Sequence, residues 1–166
     1  MMSPCPITHY TPRDIAKQLI EDISFNEKDI TLEPCKGLAN NFYDFIPYEK
    51  DWCEIDEGRD IFNYNFGDKR FTKIITNPPY KSNETEAKNR KNIAVKVMEK
   101  CFELCDDECW FLLNNQMFNS MTPVRLNKYK SMNFSIVYMR ILNIQCWYGR
   151  YYWICFKKNG TSIVSF

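Results

Sequence analysis

An α/β fold, with a mostly parallel sheet and an antiparallel pair of strands at its carboxyl end, is what this sequence predicts. Three observations carry that reading. Short apolar runs alternate with stretches of helical periodicity, the pattern of strand–helix–strand units. Several of those runs stop at proline or at a polar tip. Near the end, "FSIVYMRIL" and "YYWICFKK" are separated by a Gly-containing turn and read as a closing hairpin.

The elements follow in order. "TPRDIAKQLIEDI" carries Ile15, Leu19 and Ile23 at helical spacing, with Thr11-Pro12 as a natural helix start. "DITLEP" predicts a short buried strand stopped by Pro34, and "KGLANNFYDFI" a loop turning into a helix. "DWCEI" predicts a second strand and "FTKIIT" a third. After the charged loop "KSNETEAKNRK", which could close over a substrate, "NIAVKVMEKCFELC" predicts an amphipathic helix with Ile93, Val97, Cys101 and Leu104 on one side. "CWFLLNN" predicts a further buried strand and "PVRLNKYK" a weaker helix.

Composition bounds the function. With 45% hydrophobic and 16% aromatic residues the chain has the makings of a packed core. Lys and Arg number 22 against 21 Asp and Glu, so no bulk charge steers the protein to nucleic acid or membrane. No apolar stretch is long enough to span a bilayer, and "MMSPCPITHY" lacks a signal-peptide core, so an intracellular, cytoplasmic protein without membrane association is expected. The 8 cysteines then read as reduced thiols. "CFELCDDEC" would stack Cys101, Cys105 and Cys109 on a helix face, but the single histidine, His9, is remote, and no metal is expected.

In open α/β sheets, ligands bind outside the carboxyl ends of the strands. There "LEPCKG" supplies Glu33 and Gly37, "CEID" supplies Glu54, and "GRDIF" supplies Asp60. A carboxylate at such a tip can take the two hydroxyls of a ribose. The stretch "ITNPPY" is the sharpest local signal: Pro-Pro ends the third strand and projects Asn77 and Tyr80 at its tip.

These residues resemble a known family, the S-adenosylmethionine-dependent amino-methyltransferases, chiefly the DNA adenine-N6 type. "HYTPRDIAKQLI" is similar to the family's amino-terminal motif beside the cofactor, which carries over to Thr11 and Pro12. "LEPCKG" is similar to its E/D-P-x-x-G-x-G loop through Glu33, Pro34 and Gly37, and "CEID" to its ribose-binding tip through Glu54. "GRDIF" looks like the segment whose aspartate, here Asp60, meets the cofactor adenine, and "NPPY" matches the catalytic motif through Asn77, Pro78, Pro79 and Tyr80. The order, with "TP" first and the cofactor motifs before "NPPY", resembles the gamma-type arrangement. One departure stands out: Ala39 lies near the place of the family's second glycine.

The resemblance implies a Rossmann-like class I methyltransferase sheet in a single domain, 1–166, with no separate target-recognition domain. It implies S-adenosylmethionine as cofactor and methyl transfer to an exocyclic amine, most often adenine N6 in DNA. RNA adenine, cytosine N4 and a protein glutamine are alternatives, as is a non-catalytic subunit retaining the fold; a protein partner could supply target recognition. In the implied mechanism the Asn77 side-chain oxygen and the Pro78 carbonyl accept the amine's N–H bonds, and Tyr80 stacks on the base. Trp147 or Tyr148 resembles, more loosely, the family's late aromatic on the base's other side, although aromatics alternating along a strand also fill cores.

Overall fold

The computed structural model describes residues 10–80 and 93–166; the "KSNETEAKNRK" loop and His9 lie outside them. Among the described residues, helix α1 (Arg13–Ile20) precedes strands β1 (Ile30–Glu33), β2 (Glu49–Trp52) and β3 (Phe71–Thr76). Helix α2 (Ile93–Leu104) runs directly into β4 (Cys105–Asn114), followed by α3 (Asn115–Asn119), α4 (Pro123–Ser131), β5 (Phe134–Leu142) and β6 (Tyr151–Lys158). The six strands form one sheet in the order β2-β1-β3-β4-β6-β5. The first four are parallel, whereas β6 enters antiparallel between β4 and β5. The chain goes from β1 outward to β2 and then crosses back to β3 on the other side of β1. Strand order reverses there, and the carboxyl tips of β1 and β3 meet at the crevice where such sheets take ligands.

Both faces of the sheet are covered, and strand side chains alternate between two cores. Ile74, Cys109, Phe111, Ile154 and Phe156 pack on one face with Val97, Met98 and Phe102 of α2 and Leu126 and Tyr129 of α4. Ile75, Trp110, Leu112, Trp153 and Cys155 pack on the other, beneath Ala16, Leu19 and Ile20 of α1. No helix among the described residues is long and apolar enough to cross a membrane.

The structure corrects two expectations. "KGLANNFYDFI" does not turn into an α-helix; it holds only a single 3-10 turn, Tyr43–Phe45. Pro47 pushes Ile46 into extended backbone (φ −70°, ψ 120°), leaving no room for a longer helix. Nor do Cys101, Cys105 and Cys109 share a helix face. The helix ends at Leu104, so Cys105 and Cys109 belong to β4, and all three are buried free thiols.

Candidate functional site

Four segments remote in sequence converge on the carboxyl tips of β1, β2 and β3. Backbone bonds extend the β1–β2 pairing past the strand ends, from Cys53 N–H to Glu33 O (2.9 Å) and from Lys36 N–H to Cys53 O (2.9 Å). The first loop is thereby held against the second tip. There the Gly37 N–H donates to Glu54 Oε2 (2.7 Å) and the Asp56 N–H to Glu54 Oε1 (3.2 Å). Glu54 therefore caps the short turn that follows β2 and ties it to the β1 loop. A carboxylate has about four lone-pair sites, so these two bonds leave it acceptor capacity for a ligand hydroxyl.

Glu33 closes β1 with its side chain 2% exposed. A backbone N–H of Tyr43 bonds its carboxyl, yet Oε2 has no hydrogen-bond partner among the described residues. Burial pushes the Glu33 carboxyl well above its ordinary range, although the nearby Lys36 ammonium works the other way. A buried acid with an unspent oxygen is costly unless something binds it. Lys36 is itself buried, bonded to Asn40 Oδ1 (2.7 Å) and Glu57 Oε1 (3.2 Å), and lies over the Trp52 ring at 4.6 Å.

Gly37 adopts φ +67°, and a Cβ there would fall 2.7 Å from the Tyr10 ring. No second glycine follows, but Asn40 takes the left-handed conformation (φ 54°) in its place. Asparagine tolerates that region better than other residues with a side chain, so the loop makes its second turn beside Ala39 without glycine.

Asp60 serves its own turn: Oδ1 accepts from the Phe62 N–H (3.0 Å) and Oδ2 from Asn63 Nδ2 (2.9 Å). Beside these acids stand two apolar side chains that the sequence reasoning missed. Ile55, next to Glu54, is 69% exposed, and Phe62, two residues after Asp60, is 40% exposed. An exposed isoleucine and phenylalanine at these tips could offer flat apolar contact to a ring. Only the pattern of an apolar residue close behind each acid hints at them in sequence.

At the end of β3, Pro78 is buried, Pro79 is exposed and Asn77 is half-buried. Asn77 Nδ2 donates to Thr11 Oγ1 (3.2 Å), and the Tyr80 hydroxyl donates toward Asn77 Oδ1 (2.8 Å) and the Leu112 carbonyl (2.6 Å). Burial pushes the Tyr80 phenol up, and Tyr151 adds to the effect. Thr11 is buried at 4% exposure, and its carbonyl accepts from Asn41 Nδ2 (2.7 Å). Pro12 caps α1, its carbonyl accepting the Ala16 N–H (2.9 Å), and Pro34 is buried behind Glu33.

Trp147 reaches this corner through Tyr151, which lies near Tyr80. It is 8% exposed, in the core under α1, with its ring 4.8 Å from that of Tyr151. Its neighbour Tyr148 is fully exposed on the β5–β6 loop, which lies at the carboxyl end of the parallel strands because β6 runs antiparallel.

No protein-family profile matches the sequence, and no curated protein does. Solved structures do match in shape. The chain superposes with TM-score 0.64 on a protein of Listeria monocytogenes described as a class I S-adenosylmethionine-dependent methyltransferase, at 15% identity over 92% of this chain and 60% of that one. It matches a protein of Pyrococcus horikoshii described as an RNA methyltransferase with TM-score 0.63, at 16% identity over 95% and 91%. It also matches a modification subunit of a type I restriction enzyme of Vibrio vulnificus with TM-score 0.63, at 13% identity over 92% and 45%. This chain thus spans about three-fifths of the Listeria protein and less than half of the Vibrio subunit. At such identities the likeness establishes the fold, a Rossmann-like class I methyltransferase sheet with an antiparallel carboxyl-terminal pair.

Proposed function

We propose that the protein is an S-adenosylmethionine-dependent methyltransferase acting on an exocyclic amine, with adenine N6 in DNA as the favoured substrate. The observation that carries this reading is the buried Glu33 carboxyl group, one oxygen of which has no hydrogen-bond partner among the described residues, at strand tips that also hold the "NPPY" corner. A cofactor bearing an ammonium group and a positively charged sulfur suits such an acid. Glu33, Gly37 and Glu54 would hold the amino-acid and ribose parts, while Ile55, Asp60 and Phe62 would meet the adenine. When bound, S-adenosylmethionine supplies a methyl group on positively charged sulfur, which an amine nitrogen can take in one in-line displacement.

The chain's own contribution is positioning and charge stabilisation. An aromatic amine is a weak nucleophile because its lone pair is delocalised into the ring. The Asn77 side-chain oxygen and the Pro78 carbonyl accept its two N–H bonds and draw the nitrogen toward tetrahedral geometry. As positive charge develops on nitrogen, those oxygens stabilise it without reorganising. Once the sulfur–carbon bond has broken, the methylated nitrogen is cationic and acidic and gives one proton to water, so the mechanism asks for no strong base and the chain's single histidine is not called on. Tyr80 supplies a ring for stacking on the base; of the two later aromatics, the exposed Tyr148 is the one free of the core to face the base from the other side, while Trp147 packs in the core.

The resemblance of "NPPY" to the amino-methyltransferase motif, chiefly of the DNA adenine-N6 type, supports the amine and the base; the neighbours include both a restriction-modification subunit and an RNA methyltransferase, so they support a nucleic acid without choosing between DNA and RNA. One observation favours a second reading, a subunit that keeps the fold without catalysis: the Tyr80 hydroxyl already engages the Asn77 oxygen that the amine would need. The two readings part in one experiment. Labelled S-adenosylmethionine is offered with DNA, RNA and protein in parallel, and the modified nucleoside or residue is identified. N6-methyladenine in DNA is expected; cofactor binding without transfer to any of the three leaves the scaffold reading.

A further inference from the structure

We propose that Thr11 is a positioning residue for the reaction, holding the plane of the Asn77 amide and linking it to the cofactor loop. The inference rests on the methyltransferase reading above and gives Thr11 a different role from that of a cofactor ligand, which the motif resemblance implies. Three bonds carry it. The Thr11 hydroxyl holds one end of the Asn77 amide at 3.2 Å, and the Tyr80 hydroxyl holds the other at 2.8 Å. The Thr11 carbonyl is held in turn by Asn41 Nδ2 at 2.7 Å, from the loop that begins at Gly37. With 4% of its surface exposed, Thr11 spends its hydroxyl and its carbonyl inside the protein.

An asparagine amide turns about its last torsion in a broad, nearly two-fold well, so unaided it does not hold one plane. A hydroxyl can donate or accept, so what Thr11 fixes is the amide's plane and position. That is what an acceptor gripping an amine N–H requires, because a misplacement of about 1 Å can cost about a hundredfold in rate. Order in the cofactor loop reaches the acceptor through Asn41 and Thr11. Helix α1 supplies a rigid base, since Thr11 lies immediately before its cap, Pro12.

The test compares Thr11→Val, which keeps shape and carbonyl but deletes the hydroxyl, with Thr11→Ser, which restores it. At saturating cofactor, Thr11→Val is expected to lower methyl transfer roughly ten- to a hundredfold, with cofactor affinity unchanged and Thr11→Ser close to wild type. Turnover unchanged in Thr11→Val would overturn the proposal. So would weakened cofactor binding with normal turnover at saturation, which is the behaviour of a cofactor ligand. NMR of isotope-labelled protein supplies a readout that needs no substrate. The Asn77 side-chain amide signal, identified by its loss in Asn77→Asp, should shift in Thr11→Val and return in Thr11→Ser; an unmoved signal in Thr11→Val also overturns it. A wild-type chain that methylates nothing removes the catalytic half of the proposal together with the function it rests on. The NMR comparison then decides whether Thr11 holds the amide.

Discussion

Tyr80 carries one phenolic proton between two acceptors, Asn77 Oδ1 and the carbonyl of Leu112. The second bond follows from the prolines: the paired register of β3 with β4 ends at Thr76 and Phe111, and Pro78 has no N–H to offer a further rung. The hydroxyl takes up a β4 carbonyl beyond that point, which gives tyrosine a structural task that phenylalanine cannot perform. Tyr80→Phe should therefore cost about 1 kcal/mol in denaturant unfolding yet slow methyl transfer less than tenfold, since the ring remains and the Thr11 hydroxyl still holds the Asn77 amide. A tenfold slower Tyr80→Phe enzyme would contradict this. Glu33 gives a pH signature. Its folded carboxyl is raised, so below its ordinary value of 4.5 both states are protonated and burial costs little. As pH climbs past that value, the unfolded chain loses its proton first, and stability falls until the folded carboxyl also ionises. Glu33→Gln should flatten that fall, as read by urea midpoints across the pH range, while weakening cofactor binding. In the wild type, binding of a cationic cofactor should tighten with rising pH over the same window, with proton release.

The elements divide into those legible in sequence and those that were not. Strand β3 and its tip were legible because proline's missing N–H and its effect on the preceding residue are local physics. The α1 start at Thr11-Pro12 and the β5–β6 hairpin were legible for similar reasons. The loop after β1 was not, because Pro47 and the left-handed Asn40 together prevent the helix that its composition suggests. Nor was the Thr11–Asn77 bond, which joins residues 66 apart, or the exposure of Ile55 and Phe62, since exposure depends on what other elements leave uncovered. Gly37 makes the loop testable as a unit. Gly37→Ala meets both a positive φ and the Tyr10 ring, so it should destabilise the protein by roughly 1–2 kcal/mol and weaken cofactor binding. A variant with wild-type stability and affinity would show that the loop is not held as described.

Across the whole molecule, the site occupies the carboxyl ends of the parallel strands while a buried charge network supports the sheet nearer their amino ends. Lys73 Nζ lies 3.1 Å from Glu108, 3.7 Å from Asp107 and 3.9 Å from the buried Asp29. Glu108 keeps Lys157 at 3.0 Å, but among the described residues Asp29 pairs with no second cation and would keep only the Asn26 N–H and the Thr72 hydroxyl, each at 2.8 Å. Lys73→Met should therefore cost about 3 kcal/mol, since breaking a buried pair leaves a buried charge uncompensated, without changing cofactor affinity. Unaltered unfolding would contradict it. The proposed function assigns the chemistry to the tip of β3, and that is open to a direct measurement: the methyl-transfer rate of Asn77→Ala at saturating S-adenosylmethionine. The account predicts a loss of about a hundredfold or more with cofactor affinity near wild type. Wild-type turnover in that variant would contradict it.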